Sequence, residues 1–250
     1  NKSAQNIELN FQNETLNKIS NSVLSSAPAK QNPLQQILTN NWATWTEGSV
    51  SFGEIDDNSL SSAQDMTSLG ISIGADKKTD NDNVLGVALR IGNTDVDVGT
   101  FGSEVDTKAL SLSFYGSNSF YDRNFLEHVI GVSHLDSDIT RKNQGNTNTQ
   151  TGDREGKQVF GSLNLGREYE NGEVTITPKG RIDGSYTTLN GYTESGNEAI
   201  RYNDQDIRSL IASLGVLIDQ DIYLENSNVR SRINLEYGKE FASNSKVVTN

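Results

Sequence analysis

The sequence predicts an all-β chain, an up-and-down antiparallel transmembrane β-barrel. Large aliphatics recur at every second position, with glycine, serine and alanine in the gaps. The connections between such runs alternate long and short, as on the two rims of an outer-membrane barrel. The runs reach about ten residues or more, enough for a tilted strand to cross a bilayer, whereas soluble strands average about five to six.

The segment SLGISIGADKKTDNDNVLGVALRIGN at 68–93 shows the period twice. Leu69, Ile71 and Ile73 share one face, as do Leu85, Val87, Leu89 and Ile91 after a polar turn. The opposite face carries Ser68, Gly70, Ser72, Gly74, Gly86, Ala88, Arg90 and Gly92. A sheet with one face in water would carry many more charges there. A small, polar second face fits a wall with something apolar outside and a narrow polar space inside.

Nine strands follow in order. The first, 42–53, opens at Trp42, where the alternation begins, and 66–76 and 83–94 are the pair just described. The fourth, 106–117, sets Leu110, Leu112 and Phe114 opposite Ser111, Ser113 and Tyr115. The fifth, 123–135, is less regular, because His128 falls among Leu126, Ile130 and Val132. The sixth, 157–170, is joined to the seventh, 173–187, by Asn171-Gly172, a pair that favours a tight hairpin. In the seventh, Val174, Ile176, Pro178, Ile182 and Tyr186 oppose Thr175, Thr177, Lys179, Arg181, Asp183 and Ser185. Pro178 lacks a ladder donor and predicts a bulge or local irregularity. The eighth is 205–219. In the ninth, 228–241, Val229, Ser231, Ile233, Leu235 and Tyr237 oppose Arg230, Arg232, Asn234, Glu236 and Gly238.

The long connections are expected at 54–65, 95–105, 136–156 and 188–204, and the shorter ones at 77–82, 118–122, 171–172 and 220–227. Residues 1–41 differ: they are rich in Asn, Gln and Ser and sustain no alternation. They read as a linker. Helices over Asn6–Leu24 and from Pro33 are one reading of it, a disordered segment the other.

Composition excludes several functions. A net charge of -12 argues against nucleic acid as a partner. With no cysteine there is no disulfide and no thiol nucleophile. No run of about 18 apolar residues exists, which excludes a transmembrane helix but not transmembrane strands. There is no P-loop, GxSxG or HExxH, so no enzyme and no cofactor are expected. His128 and His134 lie on one strand, roughly 20 Å apart, too far to share a metal. DKKTDNDN at 76–83 lacks the glycine and final Glu of a calcium loop and reads as a polar turn.

The candidate site is the set of lumen-facing charges Arg90, Lys179, Arg181, Asp183, Arg230, Arg232 and Glu236. Either they shape the pore and hold the linker, or they form a generic polar interior, paired or hydrated. Trp42, Trp45, Tyr115, Tyr121, Tyr186 and Tyr237 fall near strand ends, as interfacial girdle residues or as packing aromatics.

From Trp42 onward the chain resembles the translocator barrel of the monomeric autotransporters of Gram-negative bacteria. The matching pieces are LGISIGAD at 69–76, VLGVALRIGNTDVDV at 84–98, VDTKALSLSFYGS at 105–117 and GVSHLDSDITRK at 131–142. Two more are ITPKGRIDGSYTTLNGYTE at 176–194, whose Pro178 has a counterpart in the family, and IRSLIASLGVLI at 207–218. The resemblance implies a twelve-stranded barrel in the outer membrane, of which residues 42–250 supply about nine strands. It also implies a lumenal helix within the linker, 1–41, and a passenger ahead of it. The implied function is to anchor and help export that passenger to the cell surface or beyond, the task of type V secretion. Lipid, the chain's own passenger and linker, and the barrel assembly machinery are the implied partners of a monomer. Some members cut their linker between two asparagines. Here Asn40–Asn41 abuts the first strand and reads as a cap or turn.

Even strand counts are the rule in such barrels, so the chain is expected to lack about three C-terminal strands. Two other readings stay open. One is an outer-membrane porin or adhesin barrel without a passenger. The other is a soluble β-rich binding domain with Leu69, Ile71, Leu85, Val87, Leu110 and Leu112 as its core.

Overall fold

The structure is a computed structural model that describes residues 42–57, 62–79, 83–121, 123–142, 148–224 and 227–242. The proposed linker and Asn40–Asn41 lie outside the described residues. The strands are β1 (Trp42–Ile55), β2 (Gln64–Lys78), β3 (Val84–Val98), β4 (Ser103–Phe120), β5 (Asn124–Lys142) and β6 (Thr149–Arg167). They continue with β7 (Tyr169–Asn171), β8 (Val174–Leu189), β9 (Tyr192–Thr193), β10 (Arg201–Tyr202), β11 (Gln205–Leu224) and β12 (Ser227–Glu240). Nine are long and form one curled antiparallel sheet, in the order β1-β2-β3-β4-β5-β6-β8-β11-β12. Each long strand pairs with its neighbour in sequence, which is the up-and-down topology expected.

The two faces are inverted relative to a soluble protein. On the outer face Leu69 is 55%, Ile71 62% and Leu112 41% exposed. On the inner face Ser72, Ser111, Ser113, Thr177 and Asp183 are buried. Water-soluble chains do not leave their aliphatic rows outside and bury serines. Leu69, Ile71, Leu85, Leu110 and Leu112 are therefore not the core of a soluble domain. Among the described residues no helix is long and apolar enough to cross a membrane, and strands cross by other means.

Two connections expected to be long are mostly strand, and a third is partly so. β3 and β4 leave only 99–102 between them, turned at Gly99 (φ 66) and Gly102 (φ 78), not 95–105. β5 runs to Lys142 and β6 starts at Thr149, where 136–156 was expected as a loop. In 188–204, Tyr192↔Tyr202 and Thr193↔Arg201 continue the β8–β11 hairpin in the register of Leu189↔Gln205. A bridge from Thr151 to Ser195 ties that extension to β6. On the opposite rim the turns are tight, at Gly172 (φ 64) and at Tyr121 and Arg123 (φ 40 and 76).

The irregularity expected at Pro178 is an interruption, not a bulge. The β6–β8 ladder stops at Gly166↔Lys179 and resumes as β7 at Tyr169↔Ile176, in the same register. The gap faces Thr177 and Pro178, where the missing proline N–H removes a rung.

Candidate functional site

The inner wall has two halves of different chemistry. Across β2–β5 it is built mainly of small and hydroxyl side chains. Its hydroxyls pair between strands, Ser68 with Thr94 at 2.9 Å, Thr107 with Ser137 at 2.9 Å and Ser111 with Ser133 at 2.8 Å. Arg90 is the cation here, donating to Ser72 Oγ at 3.2 Å and Ser49 Oγ at 2.9 Å above Gly70. Trp45 and Tyr115 are buried in this wall, so neither belongs to an interfacial girdle. Trp45 Nε1 donates to Tyr115 Oη at 2.6 Å, and Tyr115 Oη donates to Asp76 at 2.8 Å. Trp42, Tyr121, Tyr186 and Tyr237 are exposed.

Across β6–β12 the inner wall is charged, because β8 alternates Lys179, Arg181 and Asp183 onto this face. Arg181 Nε pairs with Asp183 at 2.9 Å, and its Nη2 donates to Glu236 on β12. Lys179 reaches the same Glu236 at 3.6 Å. Ser162 donates to Asp183 at 2.6 Å, and Arg232 Nε donates to Asp219 at 2.7 Å. Five of the predicted residues therefore lie on the inner face in two groups, and a sixth, Arg90, stands apart on β3. The seventh, Arg230, has a side chain outside the described ones.

Sequence reasoning missed Asp219, Asp76, Glu127 and Asn164. Glu127 follows the inward alternation Phe125, Glu127, Val129, which would have found it. Its carboxylate accepts from Asn164 Nδ2 at 2.7 Å.

On the rim of the long strand ends, Arg141 binds Glu194 through Nε at 2.8 Å and Nη2 at 2.6 Å. Hydrogen bonds from Arg141 hold the Glu194 carboxyl below the usual glutamate range, against burial; the Ile200 N–H adds to this. Tyr192 and Tyr202 stack at 4.7 Å beside it, with the Arg154 guanidinium over Tyr192. Outside, Asp95, Glu104 and Asp106 bring carboxylate oxygens within 4.8 Å of one another, a half-buried cluster of like charge.

The family model described as Autotransporter beta-domain matches residues 44–250. The fold is similar to the translocator domain of the autotransporter NalP from Neisseria meningitidis. The TM-score is 0.66 at 13% identity, over 86% of this chain and 78% of that one. It is also similar to the beta domain of the Bordetella autotransporter BrkA, with TM-score 0.61 and 18% identity, over 83% of each chain. No curated protein sequence matches the chain.

Proposed function

We infer the function from one premise: the chain belongs to the autotransporter β-domain family. It is an outer-membrane translocator domain of a passenger-bearing protein. The inversion of its faces carries the physical side of that reading. Aliphatic rows face lipid over nine strands, while the inner wall is hydrogen-bonded and polar.

Finer points are proposals. Arg90, Lys179, Arg181, Asp183, Arg230, Arg232 and Glu236 line the lumen and hold the segment that runs through it, which we take to be residues 1–41. The charged wall supports this, since its ion pairs leave directional donors and acceptors along the passage. The rim of protruding strands stands at the cell surface, where the passenger emerges. The domain is a conduit and not a catalyst, a monomer inserted by the barrel assembly machinery.

Orientation is testable in the full-length protein, because the chain has no cysteine of its own. Glu198→Cys should react with an impermeant maleimide on intact cells, and Tyr121→Cys only after the cells are broken. The polypeptide upstream should be open to external protease. The reverse labelling, or a protected upstream polypeptide, would overturn the reading.

A further inference from the structure

We propose that Glu127 and Asn164 form a subsite in the inner wall for one lysine ammonium of the polypeptide that occupies the lumen. It rests on the translocator reading above and adds the chemistry of a contact. Glu127 is 4% and Asn164 2% exposed. The amide Nδ2 donates to Glu127 Oε2, which leaves Asn164 Oδ1 buried with no partner. Among the described residues, the other fully buried carboxylates each hold an arginine: Asp183 has Arg181, Asp219 has Arg232 and Glu194 has Arg141. Glu127 has none. Lys179, two residues off the row of Glu127 and Asn164, acts on Glu127 through its charge, but its ion pair is with Glu236.

A buried carboxylate without a cation is costly, and so is a buried amide oxygen without a donor. The carboxylate and the amide oxygen are both acceptors and they adjoin, so a donor with positive charge satisfies the two at once. An ammonium is compact and carries three donors, enough for both oxygens at once.

Position says where that lysine comes from. The ladder Trp42↔Lys77, Lys77↔Leu85, Leu85↔Gly116 and Gly116↔His128 puts the start of β1 one residue from the row of Glu127. The first residue of β1 is therefore one row from the subsite, four strands away along the ladder. Upstream of Trp42 the chain carries Lys2, Lys18 and Lys30 and no arginine.

The test is zero-length carbodiimide coupling of the full-length protein in outer-membrane vesicles, with the isopeptide bonds mapped by mass spectrometry. The wall pair Lys179–Glu236 should couple in every variant and serves as the control. Glu127 should couple to a lysine outside the described wall, and Glu127→Gln should abolish that product. Coupling to Lys2, Lys18 or Lys30 identifies the linker as the occupant, and coupling to a lysine further upstream identifies the passenger. If the control couples while Glu127 couples to nothing, or only to Lys179, the subsite is wrong. Trypsin gives a second readout. It should cut after the captured lysine ~10-fold faster in Glu127→Gln, the equivalent of one lost charged hydrogen bond. An unchanged rate overturns the proposal too. Surface exposure of the upstream polypeptide is scored in the same cells. Export without a Glu127 product sinks the subsite alone, and loss of export in the wild type sinks the translocator reading.

Discussion

Glycines in this wall are seats for aromatic rings on the next strand. A Cβ at Gly74 would stand 2.3 Å from the Trp45 ring, and one at Gly86 would stand 2.3 Å from the Tyr115 ring. Those rings carry the hydrogen-bond chain to Asp76, so moving one ring loses packing and polar contacts together. Gly86→Val should therefore cost ~1–3 kcal/mol, the usual range for overpacking. Gly48→Val makes the same change in a strand where nothing lies within 4 Å, and it should be near neutral. Urea unfolding of the two variants in lipid vesicles measures the difference. Equal losses would mean that the cost does not come from the ring seat.

Strand centres were legible in the sequence and strand ends were not, for a physical reason. Within the apolar band an aliphatic marks every second residue, as from Leu85 to Ile91. Beyond it the alternation continues, but the outward residues turn acidic: Asp95 and Asp97 stand opposite Asp106 and Glu104. A run of acids reads as a loop, although Val96, Val98 and Val105 still point the other way. The candidate site was half legible for a similar reason. Lys179, Arg181 and Asp183 declare their common face by spacing, but Arg181 meets Glu236 only through the registers of β8, β11 and β12. The rim extension of β9 and β10 supplies a prediction at this scale. The folded-state pKa of Glu194 is depressed, so its contribution is full above the ordinary glutamate value of about 4.3 and is lost as pH falls through the lower folded value. Amide exchange across Tyr192–Tyr202, corrected for the intrinsic rate, should rise in that acid range while β4 and β5 stay protected. Glu194→Gln should remove the pH dependence. Wild-type protection that persists far below that range would show that the bridge to β6 and the tyrosine stack suffice without the ion pair.

The long strands of the whole sheet exceed the bilayer's need of about 9–11 residues per crossing. The ladder shows where the surplus lies. Ile71↔Ile91 and Ile91↔Leu110 form an apolar outward row. Two outward rows further on, Asp95↔Asp106, Asp106↔Asp138 and Asp138↔Asp153 form an acidic one. Like charges facing each other across strands repel, and hydrocarbon would not screen them. The edge of the lipid band must fall between these rows, with the acidic wall standing free in water. The other edge lies near Trp42, at the tight-turn rim. The two tryptophans test this placement, because they sit three residues apart on opposite faces. Trp42 is 37% exposed on the outer face and Trp45 only 6% exposed on the inner one. In vesicles of brominated lipid, Trp45→Phe leaves Trp42 as the emitter, and its fluorescence should be strongly quenched. Bromine near the headgroup should quench it more than bromine at the chain ends, since indole rings settle at the interface. Trp42→Phe leaves Trp45, shielded by the sheet and hydrogen-bonded to Tyr115, and quenching should be weak at every depth. If Trp45 is quenched strongly and Trp42 only weakly, the serine face and not the aliphatic face meets lipid. The inversion on which the translocator reading rests would then be the wrong way round.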